Sequence, residues 1–138
     1  MQKSAIIQKF FDKVVCHRKF HLLSDIVTDD VVYIAPRAMG IGRLAAQQSF
    51  EVSGQAFKPS HVDVQFAAEI GERAAARVCL LGRESNALAG TRNSGRRISL
   101  PCVYLFEFRG SRICKIEVYC DLQSLTSQIG HSQVHSVR

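Results

Sequence analysis

Apolar residues change their spacing along this chain, from helical intervals in the first third to alternation in the second half. Ile6, Phe10 and Val14 recur at the helical period, which predicts an amphipathic helix over 5–19 with Ser4 as its N-cap. Beyond it, the pattern predicts a short helical turn over 20–27, a strand over 31–35, a glycine-containing loop over 36–42 and a helix over 43–54.

Alternating apolar positions in the second half predict four longer strands, over 61–71, 74–83, 97–109 and 113–121. Gly71 and Gly110 lie in connections short enough to be hairpin turns, so neighbouring strands should be antiparallel. This order of elements predicts one α+β domain over residues 1–138, with N-terminal helices packed in a curved antiparallel sheet of four to five strands. A strongly bent sheet over helices leaves a cone-shaped interior that suits a small molecule.

The last of these strands runs into a lone carboxylate, Asp121, and then into a helical pattern over 122–129. Alternation places Glu117, Tyr119 and Asp121 on one face of the strand, and we expect this face to line a cavity. An acid held there is desolvated and its pKa rises, as a general acid or base near neutral pH requires. Asp121 also stands where the N-cap of the following helix belongs, and the two roles do not exclude each other.

Composition narrows the class of protein. Hydrophobic residues make up 46% of the chain and charged residues 22%, which is typical of a folded globular domain and argues against intrinsic disorder. No apolar run approaches the roughly 18–20 residues that cross a bilayer, and charges interrupt the N-terminus too early for a signal peptide. We therefore expect a soluble, cytoplasmic protein without a membrane partner.

The net charge of +6 comes mainly from basic residues scattered between positions 73 and 115. Aromatic residues do not interleave with them as a base-stacking platform requires, so we expect a solvated basic face and no nucleic-acid partner.

The five cysteines lie inside apolar segments without C-x-x-C spacing, which indicates reduced, buried side chains. A nucleophilic Cys102 is the alternative, although no neighbour in the sequence obviously lowers its pKa. The five histidines and the acids never fall at a metal-ligand spacing, and the sequence contains no phosphate loop or dinucleotide fingerprint. We expect neither a metal nor a cofactor.

Several short segments together form a signature. They are Asp29-Asp30-Val31-Val32-Tyr33, Gly90-Thr91, Ser94-Gly95-Arg96-Arg97-Ile98, Phe106-Glu107-Phe108-Arg109-Gly110, Ile113, Asp121 and Gln128-Ile129-Gly130. In order and spacing they resemble the SnoaL-like polyketide cyclases of the nuclear-transport-factor-2-like superfamily, over nearly the whole chain. The resemblance implies a cone-shaped α+β barrel. In size and style the chain is also similar to the small fungal isomerases and cyclases of meroterpenoid and polyketide pathways.

The resemblance further implies that Asp121 occupies the position of the catalytic acid/base of these cyclases. The chain departs from the family pattern at two places. Glu117 stands where the family often has Trp, and Pro59-Ser60-His61 lacks the acid that the family often carries after the proline. Either Glu117 replaces that acid or the pocket has lost catalysis, because many members of this fold only bind ligands or assemble.

Other polar side chains are candidates for the same chemistry, each with a structural alternative. His17 ends the apolar stripe of the first helix, and it either exchanges a proton near physiological pH or stabilises the helix C-terminus. Tyr33, Tyr104 and Tyr119 either present hydroxyls to a substrate carbonyl or are core aromatic residues. Tyr119 is preferred because it shares a strand face with Asp121.

Substrate-binding candidates follow from the expected cavity. Arg37 and Met39 lie where a lid over the cavity belongs, and Arg37 is either an anchor for a carboxylate, ester or enolate or an exposed loop residue. His61 begins a strand and belongs either to the pocket or to the surface. Six apolar residues are expected in the core or the pocket wall, namely Phe11, Val78, Leu80, Leu100, Cys102 and Phe106.

Together these features predict a cofactor-independent isomerase or cyclase of secondary metabolism that orients a largely apolar, polycyclic substrate. Asp121 would move the proton while Tyr119, His17 or Glu117 polarises an oxygen. The alternatives are a non-catalytic ligand-binding or assembly module and an epoxide hydrolase. Because two such sheets often pack back to back, we also expect a homodimer.

Overall fold

The first third of the chain forms helices whose winding changes along their length. The computed structural model describes residues 3–36, 38–53, 57–84 and 96–128. Helix α1 covers Lys3–Lys9 and continues as a π-helical segment, Phe10–Cys16. A 3₁₀ turn, Phe20–Leu22, leads into helix α2, Leu23–Ile26. The predicted helical segments are confirmed, but Ser4 lies inside α1 and is not its N-cap.

Six strands and two further helices follow. The strands are β1 (Val27–Ala35), β2 (Ala38–Ile41), β3 (Phe57–Ile70), β4 (Arg73–Glu84), β5 (Arg97–Arg109) and β6 (Arg112–Cys120). Helix α3, Arg43–Ser53, lies between β2 and β3, and helix α4, residues 122–128, follows β6. Among the described helices, none is both long enough and apolar enough to cross a membrane.

The strands form one curved sheet in the order β2-β1-β6-β5-β4-β3. Neighbouring strands are antiparallel except β1 and β6, which are parallel. A parallel pair needs a long connection, and the chain from α3 to β5 supplies it. The fold is therefore α+β with an open, six-stranded mixed sheet. The predicted α+β fold, with N-terminal helices packed in a curved sheet, is confirmed. The sheet has six strands instead of four to five, and one of its strand pairs is parallel.

An aromatic cluster joins the helical layer to the sheet. Phe10, in the π-helical segment, contacts the rings of Phe50, Tyr104 and Phe106 at centroid distances of 5.9, 6.1 and 5.9 Å. Phe11 packs edge-to-face on Tyr104 at 4.9 Å. Such tilted pairs add to the free energy gained from apolar burial. The cluster fixes the helices on the sheet and forms the inner end of the space described next.

Strand β3 bends over this space. Its pairing with β4 shifts register twice, between Pro59 and His61 and between Val64 and Phe66, and each irregularity bends the strand. Gly82 of β4 lies opposite Pro59, and a Cβ atom there would stand 2.2 Å from the carbonyl oxygen of residue 58. Glycine permits this close approach because it has no side chain.

Candidate functional site

A cavity of about 610 Å³ lies between the helical layer and the sheet. Its volume falls within the roughly 300–1,000 Å³ typical of small-molecule sites. Most of its wall is apolar, with residues from the π-helical segment, all six strands and helices α3 and α4, including Val14, Leu80, Leu100, Val118, Leu122 and Leu125. The site therefore suits a ligand with a large hydrocarbon surface, and polar side chains at a few points would orient it.

Two tyrosine hydroxyls supply the first of these polar points. Tyr33 of β1 and Tyr104 of β5 line the cavity with 6% and 5% of their surface exposed. Neither hydroxyl donates a hydrogen bond to another described residue, so both are available to a ligand. Burial raises the pKa of Tyr33 and Tyr104 well above the ordinary tyrosine value. Both side chains are thus neutral hydrogen-bond donors at physiological pH.

Arg18 supplies a positive charge. Its Nη2 donates a hydrogen bond to the Phe50 carbonyl oxygen at 3.1 Å, and its guanidinium lies 5.0 Å from the centroid of the Phe20 ring. Of the described residues in the cavity wall, Arg18 is the one with a formal charge. The remaining N–H groups of the guanidinium can bind an anionic oxygen. Sequence analysis missed Arg18, because it follows the end of the π-helical segment at Cys16 and helical spacing does not place its side chain.

A pair of thiols lies at the same wall. Cys120 of β6 lines the cavity and Cys102 of β5 is buried behind it, with their Sγ atoms 3.0 Å apart. The hydrogen bond that Cys102 donates lowers the pKa of Cys120. The same bond, together with burial, raises the pKa of Cys102. Cys120 is therefore the thiol that ionises first.

The expected catalytic face of β6 points away from this cavity. Ile116 and Val118 face the helices, whereas Tyr119 is 53% exposed on the opposite side. Its hydroxyl donates to Glu117 Oε2 at 2.7 Å, which lowers the pKa of Glu117 and raises that of Tyr119. The period-two alternation was right, but this face lies outside the cavity between helices and sheet. Glu117 instead lines a separate pocket of about 370 Å³. Because the apolar residues Ile116 and Val118 pack on the helices, the polar residues between and beside them face outward. The catalytic roles of Glu117 and Tyr119 remain predictions.

Asp121 ends β6 and begins helix α4. Its Oδ1 accepts a hydrogen bond from the Ser124 backbone N–H at 2.9 Å, so its predicted role as N-cap is confirmed. Its carboxylate is exposed, while its sequence neighbours Cys120 and Leu122 both line the cavity. Asp121 thus lies in the sequence between two residues of the cavity wall, and its catalytic role remains a prediction.

The two candidate histidines lie outside the cavity wall. His17 is exposed and donates from Nδ1 to the Asp12 carbonyl oxygen at 2.7 Å, which is the geometry of a residue at the end of a helix. His61 is exposed and pairs with Leu81 in the sheet. The structure therefore places His61 at the surface, and it does not bring His17 together with Asp121.

The remaining candidates divide between the cavity wall, the core and the undescribed part of the chain. Met39 and Leu100 line the cavity, as predicted. Phe11 and Cys102 are buried behind its wall. Arg37 lies outside the described residues. Of the other apolar candidates, Leu80 lines the cavity, whereas Val78 and Phe106 belong to the core.

Known structures share this fold. A protein from Jannaschia sp. CCS1, named a SnoaL-like polyketide cyclase, is 18% identical with a TM-score of 0.80, and the match covers 91% of this chain and 90% of that one. A protein from Acidithiobacillus ferrooxidans, named a polyketide cyclase, is 14% identical with a TM-score of 0.82, and the match covers 95% of this chain and 99% of that one. A protein from Catenulispora acidiphila with a ketosteroid isomerase-like fold is 17% identical with a TM-score of 0.76, and the match covers 94% of this chain and 95% of that one. At such identities these likenesses establish the fold alone.

The sequence itself identifies the family. The family model named SnoaL-like polyketide cyclase matches residues 5–129, so the chain belongs to this family. No curated protein matches the sequence. The expected closeness to fungal meroterpenoid enzymes finds no support in these comparisons.

Proposed function

We propose that the protein is a cofactor-independent isomerase or cyclase that binds a largely apolar, polycyclic intermediate of secondary metabolism in this cavity. The observation that carries the proposal is the pair of buried phenols, Tyr33 and Tyr104, at the wall of an otherwise apolar space of about 610 Å³. Membership of the SnoaL-like polyketide cyclase family supports the same class of reaction.

The cavity wall favours a substrate with an anionic or enolisable oxygen. Arg18 already uses one N–H group on the Phe50 carbonyl and keeps others for a ligand. A carboxylate, phenolate or enolate beside Arg18 would gain a charge-assisted hydrogen bond in a site of low dielectric. The apolar walls would bind the rings of the substrate.

Tyr33 and Tyr104 would act on the oxygen at which negative charge develops. Because burial raises the pKa of both phenols, they keep their protons and donate hydrogen bonds to a carbonyl or enolate oxygen. Donors fixed in advance in an apolar site stabilise such a charge more than water does. This arrangement favours enolisation, and hence isomerisation or ring closure next to a carbonyl.

Asp121 is our candidate for the group that moves the proton, because it lies between two residues of the cavity wall. Asp121→Asn keeps the N-cap but removes the titratable proton, and general acid–base catalysis is typically worth roughly 10²–10⁴-fold. We expect that variant to keep substrate affinity and to lose at least about a hundredfold in turnover.

A second candidate function is ligand binding without catalysis. It is favoured by one observation: the described residues of the cavity wall include no carboxylate and no imidazole. In that case Asp121 would be a helix cap only, and Tyr33 and Tyr104 would orient the ligand.

The test is to identify metabolites that accumulate when the gene is deleted and to incubate them with the purified protein. The proposal predicts a product of unchanged mass, formed more slowly by Tyr104→Phe and by Asp121→Asn. Oxygen uptake from labelled water would indicate epoxide hydrolysis instead. Binding of the metabolite without conversion would support the second candidate and contradict the first.

A further inference from the structure

Cys102 and Cys120 form a cross-strand pair that the proposed catalysis does not use. The two residues are directly opposite in the ladder of β5 and β6. One position further along, the Asp121 N–H donates to the Pro101 carbonyl oxygen at 3.2 Å. Hydrogen-bonded and non-hydrogen-bonded pairs alternate in an antiparallel ladder. The two cysteines therefore form a non-hydrogen-bonded pair, the kind whose side chains lie closer together.

This position permits a disulfide. The Cα atoms of such a pair lie about 4.5 Å apart, within the roughly 4.4–6.8 Å that disulfides span. With the Sγ atoms at 3.0 Å, bond formation needs an approach of about 1 Å, which rotation of the two side chains can supply. We propose that Cys102 and Cys120 form a reversible disulfide when a peroxide enters the cavity, and that a ligand in the cavity blocks this reaction.

The two thiols have different access and different reactivity. Cys102 is only 2% exposed, whereas Cys120 faces the cavity, so an oxidant reaches Cys120 first. The hydrogen bond from Cys102 also favours the thiolate of Cys120, and the thiolate is the nucleophile. Cys120 is therefore the attacking residue and Cys102 the resolving one.

The chemistry balances with a peroxide as the oxidant. The Cys120 sulfur attacks one peroxide oxygen, the O–O bond breaks, and hydroxide leaves and takes a proton to become water. The Cys102 sulfur then loses its proton and attacks the sulfur of the resulting Cys120 sulfenic acid. The S–O bond breaks, the S–S bond forms and a second water leaves. Two thiols give up two electrons, and one peroxide becomes two waters.

The bond would connect the oxidation state of the protein to the ligand site. Burial is the main cause of the raised pKa of Tyr33, and the nearby Cys120 and Cys102 raise it further, so the thiols and this phenol share one region of the cavity wall. Any ligand that occupies this region closes the route of the peroxide to Cys120. Since binding and oxidation use the same space, each should oppose the other.

Peptide mapping of the full chain tests the disulfide. The reduced protein is treated with hydrogen peroxide, free thiols are alkylated, and the protein is digested with trypsin. Cleavage after Arg109 and Lys115 separates Cys102, Cys114 and Cys120 into three peptides. We expect the first and third to be linked, and dithiothreitol to release them. Alkylation of both, oxygen addition to Cys120 alone, or linkage of either to another cysteine would overturn the proposal.

Matched variants assign the reaction to this pair. Cys102→Ser and Cys120→Ser should each abolish the linkage, whereas Cys79→Ser should retain it because Cys79 is not part of the cavity wall.

Anilinonaphthalene sulfonate, an apolar anion, serves as the cavity probe. At a saturating concentration it should slow formation of the disulfide several-fold. An unchanged rate with the probe bound would overturn the claim that the peroxide arrives through the cavity.

Discussion

At the scale of single residues, the two phenols and the carboxylate of the site lie in opposite environments. Tyr33 and Tyr104 are buried, whereas Asp121 is exposed. The two phenols are enclosed by apolar side chains and keep their protons, so they act as neutral donors. Asp121 is exposed, and its Oδ1 accepts a hydrogen bond from the Ser124 backbone N–H in the first turn of α4. The cavity wall thus supplies hydrogen-bond donors, and the proposed proton acceptor, Asp121, lies in the sequence between two residues of that wall.

The cap at Asp121 gives a stability prediction that is separate from catalysis. Asp121→Ala removes the acceptor for the Ser124 N–H and should lower the free energy of unfolding by about 1 kcal/mol. Asp121→Asn should lower it by much less, because Asn caps helices about as well as Asp. Urea unfolding of the three proteins checks this. Equal stability of the Ala and Asn variants would show that the cap contributes nothing.

The buried phenols predict a loss of stability at alkaline pH. Below the ordinary tyrosine pKa of 10.0, folded and unfolded chains both keep these protons, and the stability that the protonated phenols contribute is fully present. Above pH 10.0 the unfolded chain loses its tyrosine protons first, so the free energy of unfolding falls until the pH reaches the raised pKa of the folded state. The slope is about 1.4 kcal/mol per pH unit for each tyrosine. Urea unfolding between about pH 9 and pH 11 should show a shallower decline for Tyr33→Phe and for Tyr104→Phe. Identical slopes in variants and wild type would refute the assigned pKa direction.

At the scale of elements, regular alternation could be read from the sequence, and irregular winding could not. Strand β5 was predicted with its observed bounds because its apolar residues alternate without interruption. Strand β2 was taken for a loop because its four residues are too few to show a period. The π-helical segment preserves an apolar stripe, so its winding is invisible in the pattern.

The same limit explains the misplaced candidates for the site. Alternation groups Glu117 with Tyr119 on one face of β6, but it does not say which face packs on the helices. That choice depends on Ile116 and Val118 meeting the helical layer, a long-range contact. The contribution of Arg18 likewise depends on its positive φ of 55° and its bond to Phe50, neither of which has a sequence signal.

The contact between β3 and β4 at Gly82 gives a prediction at this scale. In Gly82→Ala the new Cβ would collide with the carbonyl oxygen of residue 58 and with the Phe57 ring, so the strands must separate at the cavity wall. We expect a loss of about 1–3 kcal/mol in the free energy of unfolding. Gly71→Asn is the matched control, because Gly71 has free space and a positive φ that Asn tolerates. Equal stability of the two variants would contradict this account of the bend.

At the scale of the whole molecule, the sheet has one face on the helices and an outer face with exposed apolar residues. Phe66 is 60% exposed, Ile70 84% and Leu105 38%, and Tyr119 lies on the same face. Large apolar side chains exposed together on one face of a folded protein are typical of an interaction site. A second copy of the chain is the occupant we propose for it.

The homodimer prediction can be tested by light scattering. The wild-type protein should be a dimer at micromolar concentration, and Leu105→Lys should be a monomer because it places a charge in the outer face. Leu44→Lys is the control, since Leu44 is 67% exposed on α3 and outside the proposed interface. A wild-type monomer, or a Leu105→Lys dimer, would refute the interface and leave the fold unaffected.

The most direct measurement of the central claim is the affinity of anilinonaphthalene sulfonate for four proteins, measured by fluorescence titration. If the cavity is the ligand site, the wild type binds one probe per chain. Ala35→Phe, which fills the wall, and Arg18→Gln, which removes the charge, should each bind at least about tenfold more weakly, or about 1.4 kcal/mol. Ala5→Phe adds the same ring at an exposed position of α1 and should bind like the wild type. Equal affinity in all four proteins would place the probe elsewhere and contradict the account.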